Sequence, residues 1–368
     1  METPEASFTI QAPLNAHEKD GKGEPIGDLF DLLNKVYLKE WMLNNKRGFS
    51  SITNCLVLIM PDKTIVYINI PMVAEIISLA TRKAGAPVYR DDIADIASIE
   101  LLGVDIPPNT AYIFYHHFLQ KRTILFDFFP NLNDQSGVEL PRDHIVDLKG
   151  SIKNQIVQDL FPALFKASLE GARSVALEKG WFPFARLRGS KLTRLCELIS
   201  NNEYDEKTEN DFINTFKEED LNQMVESWVQ KPRFKRYERS LREGVDNYIN
   251  GRYISAISIF YPRIEGFFQQ LGIEKTGTMD TEYGRLTGYF IQESRIKHPV
   301  LSVDLRREFV NYLKNTFFNK ISEESIRNGS VRSGRIGFAH GILDDNEMTK
   351  LRAIQAILIL DELFVYSK

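Results

Sequence analysis

Cysteine is almost missing from this chain: Cys55 and Cys196 are the only two in 368 residues, and neither belongs to a CxxC pair. That excludes a disulfide framework and a cysteine-based zinc site, and it suits a reducing compartment. Long apolar runs are missing as well. Stretches such as Cys55 to Met60 and Ile354 to Leu360 fall far short of the roughly 20 residues that a membrane-spanning helix needs. No Gly-rich loop joins a strand to a helix, which argues against a doubly wound nucleotide fold. GxSxG, Walker-type and HExxH segments are likewise missing. The opening METPEASFTI has no basic n-region followed by an apolar h-region, so no signal peptide is expected. These absences leave a cytoplasmic protein without a membrane partner as the expectation.

What is present is the composition of an ordinary globular protein, 43% hydrophobic and 26% charged, in a chain long enough for two domains. The net charge of −4 excludes nothing, but its distribution is uneven. From Lys231 onward there are 22 Lys plus Arg against 17 Asp plus Glu; the preceding residues hold 24 against 33. The C-terminal part is therefore the better candidate for a polyanion.

Pattern along the chain predicts an α+β protein. Residues 1–25, rich in Pro, Glu, Lys and Gly, read as a flexible tail or at most one edge segment. Residues 26–180 read as an α/β domain, opening with a short helix through Leu29, Phe30, Leu33, Val36, Tyr37 and Met42. Strand signals follow at Leu56 to Met60 and Ile65 to Ile70, joined by Pro61, Asp62 and Lys63, and again at Ala111 to His116 and Thr123 to Phe128. Met72 to Lys83 and Asp91 to Leu102 are predicted helical, giving a small antiparallel sheet with helices on one face. The period turns helical from Val146, with Ile152, Ile156, Leu160, Leu164 and Ala167 on one stripe and a kink at Pro162. Residues 181–230 read as a helical connector. It begins with the aromatic Trp181 to Phe184, has helices at Lys191 to Ser200 and Asp211 to Trp228, and carries a polar loop at Asn201 to Asn210.

Lys231-Pro232 marks the internal boundary, and residues 231–368 read as an all-α helical bundle. Tyr237, Leu241, Val245 and Tyr248 form one helix closed by Asn250-Gly251. Ile257, Tyr261, Ile264, Phe268 and Leu271 form a second closed by Gly272, and Leu305, Phe309, Tyr312 and Thr316 a third. Asn346 to Tyr366 is apolar on almost all sides, the mark of a helix buried in the bundle or in a subunit interface.

Just ahead of that helix stands Ser333-Gly334-Arg335-Ile336-Gly337-Phe338-Ala339-His340-Gly341. Arginine offers a permanent planar fork for a phosphate, and histidine moves a proton near neutral pH. Together they suffice for RNA cleavage without metal: the 2′-hydroxyl attacks the adjacent phosphate, the imidazole transfers a proton, and the guanidinium stabilises the developing charge. The glycines would let a backbone approach a ligand closely. The spacing alone also fits a histidine that merely caps or packs before the last helix.

Arg335, four intervening residues and His340-Gly341 resemble the hallmark motif of the HEPN superfamily of helical domains. The "YPRIEGFF" core of Tyr253 to Leu271 resembles the Arg- and Glu-bearing helix before that motif, and "LRAIQAILILDELFVY" is similar to the apolar closing helix. The resemblance covers about residues 235–368. It implies a dimer with facing motifs, an RNA substrate, Arg335 and His340 as catalytic residues with Glu265 and Gly341 in support, and no cofactor or metal. It also implies a bacterial toxin or antiviral defence setting. Residues 26–180, which carry no resemblance of their own, are then expected to sense a trigger or restrain the active site, with a regulatory protein as a candidate partner. Active members commonly carry a polar residue after the motif arginine, where this chain has Ile336. The alternative reading is a non-catalytic HEPN-like module that binds a nucleotide or protein partner.

Two further groups invite attention. Lys231, Arg233, Lys235, Arg236, Arg239 and Arg242, interleaved with Phe234 and Tyr237, read either as a track for a phosphate backbone with a stacked base or as a solvated helix start. Arg186, Arg188, Lys191 and Arg194 form a smaller basic group. Glu265 sits between apolar neighbours and needs a partner, read as an intrabundle ion pair, a tether for Arg335 or His340, or both. His116-His117 with Asp127 fits a metal site poorly, since consecutive strand residues point to opposite faces.

Overall fold

The computed structural model describes residues 6–10, 54–59, 63–69, 71, 73–103, 111–118, 121–126, most of 156–164, 170–280, 282–296, 305–318, 335–339 and 341–368. The expected helix at Leu29 to Met42, Asp127, His340 and the tail apart from residues 6–10 lie outside these. The side chains of Arg335, Ile336, His116 and His117 do so too. The architecture is α+β, and the chain divides into two compact units: residues 1–76 with 99–160, and residues 77–98 with 161–368.

Among the described residues, the first unit holds the five strands of one sheet, β1 (Ala6–Ile10), β2 (Asn54–Ile59), β3 (Thr64–Ile68), β6 (Ala111–Phe118) and β7 (Lys121–Phe126). They form one antiparallel sheet of order β1-β3-β2-β6-β7. The four strands β2, β3, β6 and β7 follow the signals read from the sequence, and β1 is the edge segment, with Phe8 opposite Val66. Alternation fixes the faces: Val66 and Ile68 are fully buried while Ile65 and Tyr67 are half-buried. In register, Val57 lies between Val66 and Ile113 at the centre of the sheet.

The two stretches predicted as helices are instead strands, β4 (Val73–Ala80) and β5 (Ile93–Leu102), paired as a separate two-stranded ribbon. Ile93, Ile96 and Ile99 recur every three residues, a spacing that a helix face and a strand buried on both faces satisfy equally. Burial decides: residues 94–99 are all buried, including Asp95 and Ser98, as no one-sided helix would allow. The linking segment is closed by Thr81, whose amide donates to the Asp92 carbonyl at 2.9 Å, and by Arg82, which donates to the Asp92 carboxylate at 2.8 Å.

Among its described residues, the second unit is helical apart from its part of that ribbon. Its helices are α1 (Glu170–Glu178), α2 (Ser190–Ser200), α3 (Glu206–Ile213), α4 (Glu218–Trp228), the single turn α5 (Pro232–Lys235), α6 (Glu238–Ile249), α7 (Tyr253–Thr276), α8 (Tyr283–Glu293), α9 (Arg306–Tyr312), α10 (Arg335–Ala339) and α11 (Lys350–Tyr366). Three departures from the sequence reading stand out. Asp205 caps α3 inside the expected polar loop, its carboxylate accepting from the Thr208 amide at 2.7 Å. Helix α7 runs through Gly272 and ends at Gly277, which adopts φ 75°. Helix α8, with Leu286 and Phe290 buried, has no counterpart among the predicted helices.

Helix α7 packs against α6, α8 and α11, and α11 is its most enclosed neighbour, with every residue from 353 to 366 buried. The expected boundary at Lys231-Pro232 falls inside this unit, because Lys231 does not point to solvent. Its amine donates at 2.5 Å to the carbonyls of both Phe364 and Ser367. A residue from the middle of the chain thus satisfies carbonyls at the end of the last helix.

Candidate functional site

The Arg335 segment forms the five-residue helix α10, and its termination explains one glycine. Gly341 adopts φ 65°, its amide donates to the Phe338 carbonyl at 3.0 Å, and the Ile342 amide donates to the Gly337 carbonyl at 2.9 Å. This is the Schellman arrangement, which favours glycine at the left-handed position. Gly341 therefore serves helix termination. Gly337 is buried, and Phe338 docks edge-on against Tyr261 of α7 with ring centroids 5.7 Å apart.

Tyr261 belongs to an aromatic wall. Its ring meets Phe317, at the end of a π-helical turn spanning Leu313–Phe317, at 4.9 Å. Phe317 touches Phe318, and Phe318 stacks on Tyr283 at 4.1 Å. The Tyr283 hydroxyl donates to the Glu265 carboxylate at 2.9 Å. Glu265 lies one turn after Tyr261 and so shares its face of α7. The candidate supporting carboxylate and the docking point of the motif helix are thus joined through one continuous wall of rings. Burial pushes the Tyr261 hydroxyl up to about 12, with Arg352 acting against it.

The basic run does not form a single track. Lys231 is turned inward, and burial together with Arg295 and Arg233 pulls its amine down to about 7. Arg233 is held by Glu293 and Glu274, and these hydrogen bonds outweigh burial and keep its guanidinium protonated. Arg242 is paired with Glu226 at 2.5 Å and Glu238 at 2.8 Å, and Lys235 stands 3.7 Å from Glu238. Arg236 and Arg239 are exposed and have no carboxylate partner among the described residues. Phe234 is buried against Phe267 and Phe364, which rules it out as a base-stacking platform.

The smaller basic group contains the most enclosed charges. Arg188 donates to the Glu362 carboxylate at 2.5 Å, to the Ala94 carbonyl at 2.5 Å and to the Pro183 carbonyl at 3.1 Å. The Tyr366 hydroxyl donates to Asp95 at 2.6 Å, and the Ala185 amide to Glu362 at 2.6 Å. Beside them, Arg186 and the Trp228 indole both donate to Asp361, at 2.9 and 2.8 Å. Burial alone would lower Arg188, but Glu362, Tyr366 and Asp95 hold it up; burial pushes Glu362 up to about 7 against Arg188's pull. The legible signal for this network was the acidic pair Asp361-Glu362 inside an otherwise apolar helix. Its partners in β5 were hidden because that segment reads as a helix. No buried polar side-chain atom of the network lacks a hydrogen bond, and together these bonds fix α11 against β5 and the Trp181 to Arg188 segment.

Among the described residues, no three His, Cys, Asp or Glu side chains converge as metal ligands, and no helix is long and apolar enough to cross a membrane. No protein-family model, curated protein or solved structure matches this chain.

Proposed function

We propose that this protein is a HEPN-type endoribonuclease that acts without metal and pairs as a homodimer through residues 231–368. The observation that supports this most is the seating of α10. A short helix beginning at Arg335 is anchored through Phe338 on the Tyr261 face of α7, the face that also carries Glu265, and it precedes α11, which is buried from residue 353 to 366. In this reading Arg335 binds the scissile phosphate and stabilises its developing charge, while His340 transfers the proton. The 2′-oxygen forms the new bond to phosphorus, the bond to the 5′-oxygen breaks, and the products are a 2′,3′-cyclic phosphate and a 5′-hydroxyl. Glu265 orients the motif, and the five-stranded unit senses a trigger or binds a regulatory protein, in keeping with a toxin or antiviral role.

Purified protein incubated with RNA in EDTA, beside His340→Ala and Arg335→Ala, tests this. Cleavage that survives EDTA and disappears in both variants is the expected result; no cleavage, or equal cleavage by all three, overturns it. A second reading, a non-catalytic HEPN-like module binding a nucleotide or protein partner, is favoured by Ile336, an apolar residue directly after the motif arginine.

A further inference from the structure

Two guanidinium groups are stacked on one ring at the α6–α7 contact. The Arg236 guanidinium lies 5.0 Å, and the Arg263 guanidinium 4.7 Å, from the centroid of Tyr237. They therefore stand no more than about 10 Å apart, about one Debye length at 0.1 M salt, and like charges at that range repel most strongly at low salt. Neither has a carboxylate partner among the described residues. Arg236 donates to the Gln270 side-chain oxygen at 3.1 Å and Arg263 to the Ser240 hydroxyl at 3.1 Å, both neutral acceptors. Other arginines nearby in the chain are treated differently: Arg233, Arg242 and Arg252 each have at least one carboxylate. Exposed Arg239 adds a third uncompensated charge one turn after Arg236.

We infer that Arg236 and Arg263, both set over the Tyr237 ring, bind the phosphate backbone of a single-stranded nucleic acid. An anion across the pair relieves the repulsion, and the planar fork of each guanidinium suits a phosphate oxygen pair. Tyr237 holds the two arginines together rather than serving as the base platform that its sequence context suggests, since its ring is already engaged by both. Arg263 lies two residues beyond Tyr261, about 200° around the helix, so this patch faces away from the wall on which α10 docks. For its partner class the inference rests on the ribonuclease reading; its residues are separate from the motif.

The test measures binding of a fluorescent single-stranded RNA across a salt series, in a His340→Ala background so that cleavage does not intervene. Arg236→Gln/Arg263→Gln is expected to weaken binding roughly tenfold at low salt and to lower the log–log salt slope by about 1.4, which is about 0.7 for each phosphate no longer neutralised. Arg252→Gln/Arg285→Gln removes the same charge from carboxylate-paired positions and is expected to leave both quantities unchanged. Equal losses in the two double variants, or none in the first, overturn the site. Single-stranded DNA of the same length should bind comparably, because the arginines grip the backbone. Binding of RNA alone, or displacement by polyglutamate as effective as by RNA, overturns the assignment. Cleavage by the Arg335–His340 motif is scored separately, so either proposal can fail without the other.

Discussion

At the scale of the residue, burial sets what each charge does. Lys231 is lowered to about 7 in the folded protein from an ordinary value of 10.5. Between those values the unfolded chain binds more protons, so this group makes stability rise with pH across that window and contributes no further change below it. Urea unfolding between about pH 7 and pH 10 should show that rise, and Lys231→Met should flatten it; identical pH dependence in the two proteins would refute the assignment. Arg188 poses the opposite case, a charge wholly enclosed but fully paired. Replacing it with Met strands Glu362 and Asp95, at a cost of about 3–5 kcal/mol in urea unfolding. Arg188→Met/Glu362→Leu should recover part of that loss, because removing both partners leaves fewer stranded charges.

Elements meet most closely where glycine sits mid-helix. A Cβ at Gly244 of α6 would lie 2.6 Å from the Phe260 ring of α7, and one at Gly272 of α7 would lie 2.6 Å from a terminal methyl of Leu286 in α8. Alanine gains about 1 kcal/mol in helix propensity over glycine, while overpacking costs about 1–3 kcal/mol. A buried aromatic ring has nowhere to go, so Gly244→Ala should lower stability by about 1–2 kcal/mol. The end of a leucine can change rotamer, so Gly272→Ala should be close to neutral. Thermal melts of the two variants check the order, and equal effects would contradict it. The same contrast explains why Gly272 misleads as a stop signal: it marks a crossing of helices, while Gly277 at φ 75° ends the element.

For the molecule as a whole, the second unit is discontinuous in sequence. Residues 77–98 cluster with 161–368, and Arg188 needs the Ala94 carbonyl and the Asp95 carboxylate from that insertion. A fragment of residues 161–368 alone would keep Arg188 and Glu362 but lose those partners. It should melt at a lower temperature and less cooperatively than the intact chain by circular dichroism; an unchanged transition would show the ribbon to be dispensable.

By itself, the sequence determined four of the five strands of the sheet, the α+β class and the buried closing helix, because these depend on local periodicity and turn chemistry. It also placed the Arg335 to His340 segment immediately ahead of that helix. Tertiary structure decided what local pattern leaves open. Residues 93–102 became a strand because both of their faces are covered. The basic run after Lys231 was sorted into paired and unpaired charges by carboxylates from α4, α7 and α8. Arg263, absent from the sequence reading as a binding residue, stands beside Arg236 only because α6 folds back on α7. Spacing along a chain fixes which residues share a face; which charges meet across two faces is fixed only when the elements pack.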